Sequence, residues 1–369
     1  MSPAKIGKYG DVSLWERLHF ATVWVRLPFV LLWTCFTNLL FYRNNFKRAT
    51  AFRMVRWFGE KYSVAQTQYI LPKSVEAYKI WAKANGLPIT VEELEDGAAI
   101  MWIGPKRTDK VALYVHGGAY IAPLLDYPLA FWRYIKKELL KNDCDVGFAV
   151  LAYTLVPEAA YPTQLQQTIA AVDHLLSYGV HPSNLHLAGD SAGGHLILSL
   201  FSHILHPLED IRKMTPLEAP IRSAYLMSPW VRMKSTAASF LSNSPEEIFS
   251  TFNVEHFAEL FLANVPEDQR PYAEADAAPD GWFDGLDNVV DRILVTVGEK
   301  ESFRDDILHF SQNISKIKSQ FTFIIQDGAV HDDPMLDFLI KSPEDQLGSL
   351  TPQIVKWLSE GINASHVVQ

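Results

Sequence analysis

Seven short apolar runs, separated by segments of helical pattern, constrain this chain more than any other feature. They are 98-AAIMWI-103, 110-KVALYVH-116, 147-GFAVLAY-153, 185-LHLAG-189, 222-RSAYLMS-228, 292-RILVTVG-298 and 321-FTFIIQ-326. Runs this short and nearly continuous in apolar residues suit strands covered on both faces. Alternation with helices then points to an α/β fold with a mostly parallel central sheet and helices on both sides. In 163-TQLQQTIAAVDHLLSY-178, Leu165, Ile169, Val172 and Leu176 share one helical face, and Thr163 with Gln166 reads as a capping box. The stretch from about 199 to 280 is less regular around its one strand. Pieces such as 246-EEIFSTFNVEHFAELFL-262 suggest a helical cap inserted over the sheet. The spacing thus predicts an α/β domain over 61–369 with a cap insertion at about 199–280, preceded by a distinct segment over 1–60.

That segment is built differently. From Leu27 to Tyr42 there is no charge, and extending back to Phe20 adds only Arg26, giving an apolar helix of about 23 residues over 20–42. Such a helix can anchor the chain to a membrane such as the endoplasmic reticulum if Arg26 snorkels, with Trp24, Trp33 and Tyr42 at interfaces, or it can form part of a cap. The run ends in 41-FYRNNFKR-48, without the small-residue cleavage site of a signal peptide. Arg43, Lys47, Arg48, Arg53 and Arg56 follow it while Lys5, Lys8 and Arg17 precede it, which favours a cytosolic catalytic domain. Two glycosylation acceptor patterns, at Asn313 and Asn363, would be usable only on the lumenal side.

Composition removes several classes. Hydrophobic residues make up 48% of the 369 and charged residues 20%, as in a globular protein. The net charge of −9 is mixed in sign along the chain, and the absence of a basic stripe argues against nucleic acid. Cys35 and Cys144 are too few for a disulfide framework and lack metal-ligand spacing. No metal or organic cofactor is expected.

Chemistry enters at 185-LHLAGDSAGGHLI-197. Leu185–Ala188 reads as a strand and Ala192 as the start of a helix, so Ser191 sits at the sharp turn between them. A serine there must take up a strained backbone conformation that lifts its hydroxyl above the sheet. Side chains at Gly189 or Gly193 would collide with the neighbouring strand and helix. Upstream, 114-YVHGGAY-120 follows a strand, and the bare N–H groups of Gly117 and Gly118, with that of Ala192, can face a developing oxyanion. His116 reads as a residue that fixes this loop. A serine nucleophile also needs a histidine and a carboxylate, in the chain order Ser, acid, His. His331, in 327-DGAVHDDP-334, is the histidine on a post-strand loop in the right order, and 298-GEKESFRDD-306 supplies carboxylates. Asp332 and Asp333 beside it have no further ligand set to make a metal site.

As an ordered set, 116-HGGAY-120, 153-YTLVPEAAYPTQL-165, 189-GDSAGG-194, 228-SPW-230, 298-GEKESFRD-305 and His331 make the chain resemble the hormone-sensitive-lipase-like branch of the α/β-hydrolase superfamily. That branch includes arylacetamide deacetylases, fungal sterol deacetylases and carboxylesterases. The resemblance covers roughly residues 110–340. It implies Ser191 as nucleophile, His331 as base, and an oxyanion hole from Gly117, Gly118 and Ala192. Ala119 stands where the family usually has a third glycine, and Glu301 stands where it has an aspartate. Asp305 aligns with a second family acid and is the alternative triad member.

The expected activity is hydrolysis of a small-molecule carboxylic ester through an acyl-enzyme. Aromatic residues of the cap (Trp230, Phe240, Phe249, Phe252, Phe257, Phe261) and the apolar N-terminal run point to an apolar, acetylated ester. Two other readings use the same fold. One is a tailoring hydrolase of secondary metabolism that opens lactones, transfers acyl groups or cyclises; the other is a non-catalytic small-molecule receptor, against which the presence of both Ser191 and His331 argues. Oligomeric state is not encoded in any of these patterns.

Overall fold

A strand that is apolar on both sides needs cover on both sides, and the computed structural model, which describes residues 7–41 and 46–363, has that form. Lys5, Tyr42, Arg43 and most of the acceptor tripeptide at 363–365 lie outside the described residues. The N-terminal elements are α1 (Leu14–Phe41), α2 (Phe46–Lys61), α3 (Val64–Ile70) and α4 (Ser74–Ala84). They are followed by β1 (Val91–Glu93), β2 (Ala99–Trp102), β3 (Val111–Val115), α5 (Asp126–Lys141), β4 (Gly147–Ala152), α6 (Thr163–Ser177), β5 (Leu185–Asp190), α7 (Ala192–Leu205) and β6 (Ile221–Met227). Then come α8 (Ala238–Ser242), α9 (Thr251–Leu262), α10 (Arg270–Ala273), β7 (Val290–Gly298), α11 (Arg304–Ile317), β8 (Phe321–Gln326), α12 (Asp333–Leu339) and α13 (Leu350–Asn363).

The strands form one sheet in the order β1-β2-β4-β3-β5-β6-β7-β8. β2 pairs antiparallel with β1 and β4, and every other pairing is parallel. This is an α/β-hydrolase fold. The edge strand β1 adds to the strands expected from sequence; its three residues, 91-VEE-93, are too short to display an alternation. Side-chain alternation along each strand divides the interior in two. Leu113, Val115, Ala149 and Leu151 join α6, α7 and α11 in one core, while Ala112, Tyr114, Phe148 and Val150 join α4, α5, α12 and α13 in the other. Each leucine, valine and phenylalanine among them contributes about 1.5–3 kcal/mol by leaving water, so the sheet is pinned from both faces.

Two local features depart from expectation. Thr163 is already helical, Pro162 holds the cap position of α6, and no side chain caps it. The glutamines of that first turn reach outward instead: Gln167 Oε1 accepts the Thr154 N–H at 2.7 Å, and Gln164 Nε2 donates to the Thr154 carbonyl at 2.9 Å. The chain leaves the sheet at Ser228, after β6, and returns at β7; residues 199–205 still belong to α7. α8, α9 and α10 lie in that excursion, and α2 reaches it through Arg56, which donates to the carbonyls of Ser244 and Glu247. α1 is long and apolar enough over Leu14–Leu40 to cross a membrane.

Candidate active site

In an open α/β sheet the loops at the carboxyl ends of the strands converge. Here the loops after β3, β5, β6, β7 and β8 bring Gly117, Ser191, Ser228, Glu301 and His331 to one edge. Ser191 follows β5 directly and takes φ 48° and ψ −116°, a left-handed conformation costly for any residue with a Cβ. Backbone bonds hold it there: Ser191 N–H to the Met227 carbonyl at 2.9 Å, and the Ser191 carbonyl from Trp230 N–H and His195 N–H, both at 3.0 Å. A Cβ on Gly193 would lie 2.0 Å from the Val115 carbonyl oxygen, and one on Gly189 would lie 2.6 Å from Gly193. Strand, turn and helix touch backbone to backbone, which only glycine permits.

His331 and Glu301 meet. His331 Nδ1 lies 2.7 Å from Glu301 Oε1, and both side chains are buried. The other oxygen of Glu301 accepts the Gly298 N–H at 2.9 Å and the Ser228 hydroxyl at 2.8 Å. Three donors therefore fix the carboxylate, and the longer glutamate arm spans to the imidazole. Asp305, the alternative acid, goes elsewhere. It lies in the first turn of α11, accepts the Ser239 N–H at 2.9 Å and pairs with Arg304, so the geometry removes it as partner of His331. Phe303 and Phe249 stand edge-on to the His331 ring, at 5.2 and 6.5 Å between centroids.

The oxyanion loop needs a correction. The single N–H of Gly117 donates to Asp190 Oδ1 at 2.9 Å, so it cannot also serve an oxyanion. A Cβ at Gly117 would sit 2.2 Å from Asp190 Oδ2, so this glycine allows the carboxylate to close on the loop. Gly118 has φ 97°, and its N–H donates to no protein acceptor among the described residues. Ala192 opens α7, where first-turn N–H groups have no intrahelical acceptor. His116 holds the loop as expected: its Nδ1 is 2.8 Å from the Gly117 carbonyl oxygen, its ring stacks on Tyr153, and burial pushes it down to about 4, hence neutral.

Three side chains that sequence reasoning missed surround the histidine. Asp190 also accepts the Tyr114 hydroxyl at 2.6 Å and interacts with the Asp332 carboxyl, whose residue has φ 53°. Burial raises both aspartates, Asp332 the further, and Asp332 Oδ2 lies 3.2 Å from His331 Nε2. The turns carrying Ser191 and His331 are joined through this pair of aspartates and through Ser228, whose hydroxyl accepts the Asp332 N–H at 3.3 Å. Glu247, from the cap, accepts the His331 N–H at 3.0 Å and the Ser302 N–H at 3.4 Å. Burial pushes it up to about 7 against the pull of His331, with Glu301 adding to the rise. For His331, burial acts downward, but Asp332, Glu301 and Glu247 outweigh it and hold the imidazole above its ordinary value. Asp190 and Ser228 sit inside the quoted motifs 189-GDSAGG-194 and 228-SPW-230, so a signal existed; Glu247 lies in the stretch 246–262 expected to be helical, but α9 begins only at Thr251 and Glu247 precedes it in irregular chain.

An imidazole bound at Nδ1 by a carboxylate, on a loop tied through Ser228 to the strained strand-to-helix turn of Ser191, has the parts that acyl transfer uses. Known proteins resemble the chain in sequence and in fold. Residues 112–334 match the family model described as alpha/beta hydrolase fold, which is more than half of the chain. The chain is 32% identical to an acetyl-hydrolase of Streptomyces hygroscopicus over 226 residues, covering 60% of this chain and 68% of that one. It is 25% identical over 289 residues to a protein of Schizosaccharomyces pombe provisionally named a steryl acetyl hydrolase, covering 73% and 65%. Among solved structures, an esterase from the bacterial hormone-sensitive lipase family superposes with a TM-score of 0.63 at 24% identity, covering 86% of this chain and 98% of that one. The chain belongs to the alpha/beta hydrolase fold family and is a hydrolase of the carboxylesterase type.

Proposed function

We propose that Ser191 is the nucleophile of a serine esterase that works through an acyl-enzyme, with His331 as general base and Glu301 as the carboxylate that orients it. The observation that carries this reading is the 2.7 Å contact between Glu301 Oε1 and His331 Nδ1, on loops that meet the strained Ser191 turn. With Nδ1–H donated to Glu301, Nε2 takes the Ser191 proton as Oγ attacks the ester carbonyl. The N–H groups of Gly118 and Ala192 receive the oxyanion, a contribution of roughly 3–4 kcal/mol per well-placed donor. The imidazolium then returns its proton to the departing alcohol. Water, deprotonated by His331, cleaves the acyl-enzyme to release the acid and restore the serine.

The substrate we propose is an apolar, acetylated small molecule. The names of the two curated relatives support the acetyl group, and the aromatic surroundings support the apolar remainder: Phe303 and Phe249 at His331, and Phe261 stacked on Tyr120 at 4.2 Å. Attachment to a membrane through α1, with the catalytic domain on the cytosolic side, belongs to the same reading. A fluorophosphonate probe is expected to label the folded full-length protein, which should then cleave acetylated sterols and other polycyclic acetates faster than long-chain acyl esters. Absence of labelling on folded protein defeats the serine mechanism; preference for long acyl chains defeats the acetyl assignment alone.

Glu247 gives a prediction with a sign. The base must be neutral to work, so activity falls as pH drops through the raised value of His331. Glu247→Gln keeps an oxygen for the His331 N–H but removes a negative charge that favours the imidazolium, so the His331 value falls. The acid limb of kcat/KM is expected to move to lower pH, while the plateau changes by less than about tenfold, or ~1.4 kcal/mol. An unmoved limb, measured from pH profiles of both proteins, would show that Glu247 acts on packing alone.

A further inference from the structure

A helix that crosses a bilayer must leave its soluble domain behind, and α1 does not. Near its start, the Glu16 side chain accepts the Ser63 hydroxyl at 3.0 Å, Gln66 Nε2 donates to the Glu16 carbonyl at 2.8 Å, and Phe20 packs on Tyr62 with ring centroids 5.5 Å apart. Near its end, Asn38 Nδ2 donates to Thr50 Oγ1 at 3.1 Å and Arg53 donates to Thr37 Oγ1 at 2.9 Å. Glu16 and Asn38 are about 33 Å apart along a helix at ~1.5 Å per residue, which is the full depth of a hydrocarbon core of about 30 Å. Over that length α1 runs antiparallel beside α2 and the start of α3.

α2 cannot follow α1 into lipid. It carries Lys47, Arg48, Arg53, Arg56, Glu60 and Lys61, and a charge at the centre of a membrane helix costs roughly 2.5–3.5 kcal/mol. It is also tied to the catalytic domain: Arg48 pairs with Asp333 and Asp337 of α12, Arg56 holds the cap carbonyls, and Asn253 of α9 donates to the Gly59 carbonyl at 2.9 Å.

The outward side of α1 completes the picture. The apolar residues of α1 that are more than half exposed run from Trp24 on one margin through Leu32, Phe29 and Phe36 to Trp33 on the other, and at ~100° per residue they cover an arc of about 180°. Val23, Thr34 and Asn38, on the opposite side, are buried against the protein. Exposed Arg17 and Arg26 stand on the two margins of the apolar arc, where each can reach headgroups. A long apolar stripe flanked by cations on a helix clamped at both ends to a charged neighbour is the form of a helix lying at an interface.

We propose that α1 lies in the plane of one membrane leaflet, apolar arc down, and that the protein is monotopic. This rests on the membrane attachment proposed above and goes further by fixing its geometry. The bilayer then sits directly beneath α2, the strut that joins the cap to the loop of His331.

The test uses the full chain in a Cys35→Ala, Cys144→Ala background, carrying either Asp11→Cys or Lys47→Cys and synthesised in the presence of sealed microsomes. Both proteins are expected to stay with the membranes through a high-salt wash. Both cysteines should also show the same accessibility to an impermeant maleimide, since the two ends of α1 lie on one side. One cysteine labelled and the other protected until detergent is added means a spanning helix; this overturns the proposal and keeps the membrane reading. Release of the protein by salt, or its recovery as a soluble dimer sealed along α1, overturns both. Phe29→Glu with Leu32→Glu should reduce membrane recovery at least tenfold while hydrolysis of a short water-soluble ester is unchanged.

Discussion

With alanine in place of Ser191, the full-length protein is expected to lose ester hydrolysis by roughly 10⁴–10⁶-fold in kcat and to lose fluorophosphonate labelling altogether. Every hydrogen bond that fixes this turn uses backbone groups: the N–H to Met227 and the carbonyl to Trp230 and His195. Alanine retains all of them, and at φ 48° it meets the same steric cost as serine. The melting temperature should therefore stay within a few degrees, since the change opens no large cavity and leaves no buried polar group unpaired. Gly118 and Ala192 would still offer donors to a bound carbonyl, so a residual rate above that in water is compatible with the mechanism. Retention of more than about one hundredth of the wild-type kcat, with folding intact, would put the nucleophile at another side chain.

What the sequence disclosed and what it hid divide along a physical line. Strands β2 to β7 announce themselves because each is largely buried on both faces and so is written in apolar residues, while β8, at the sheet edge, is apolar though partly exposed. The turn at Ser191 is legible because backbone contact at Gly189 and Gly193 admits no other residue. His331 follows from order along the chain alone. The choice between Glu301 and Asp305 does not, because four residues of separation places one acid at the histidine and the other at the cap of α8, and only the path of 298–305 decides which. Gly117 was misread for a related reason. A glycine beside a reaction centre can be bare for the substrate or bare for a neighbouring side chain, and Asp190 is that neighbour here. Glu247 is the extreme case: it touches His331 from 84 positions away, from irregular chain ahead of α9. The inward side of α1 is hidden in the same way, since Thr34 and Asn38 are its only buried polar residues among the described ones and the partner of Asn38, Thr50 on α2, lies beyond the helix.

Replacement of Glu301 by glutamine is expected to lower kcat by roughly 10³–10⁴-fold, against less than about threefold for Asp305→Asn. The difference follows from what each carboxylate accepts. Glu301 receives the His331 Nδ1–H on one oxygen and the Gly298 N–H and Ser228 hydroxyl on the other. A glutamine amide has one acceptor and one donor end. With its oxygen toward His331, its NH₂ faces the Gly298 N–H, a fixed donor that cannot turn away. With its NH₂ toward His331, the imidazole must present a lone pair at Nδ1 and carry its proton at Nε2, where it cannot accept one from serine. Either arrangement leaves a buried polar group opposed or the base in the wrong tautomer, so the loss should fall on kcat with little change in KM. Asp305 faces only the Ser239 N–H and Arg304, and the amide oxygen of asparagine can still accept from Ser239. Glu301→Asp separates reach from charge: a shortened carboxylate can serve Gly298 and Ser228 or His331, but not all three, and an intermediate loss is expected. Steady-state kinetics of the three variants decide the assignment, and a fall for Asp305→Asn as deep as that for Glu301→Gln would refute it.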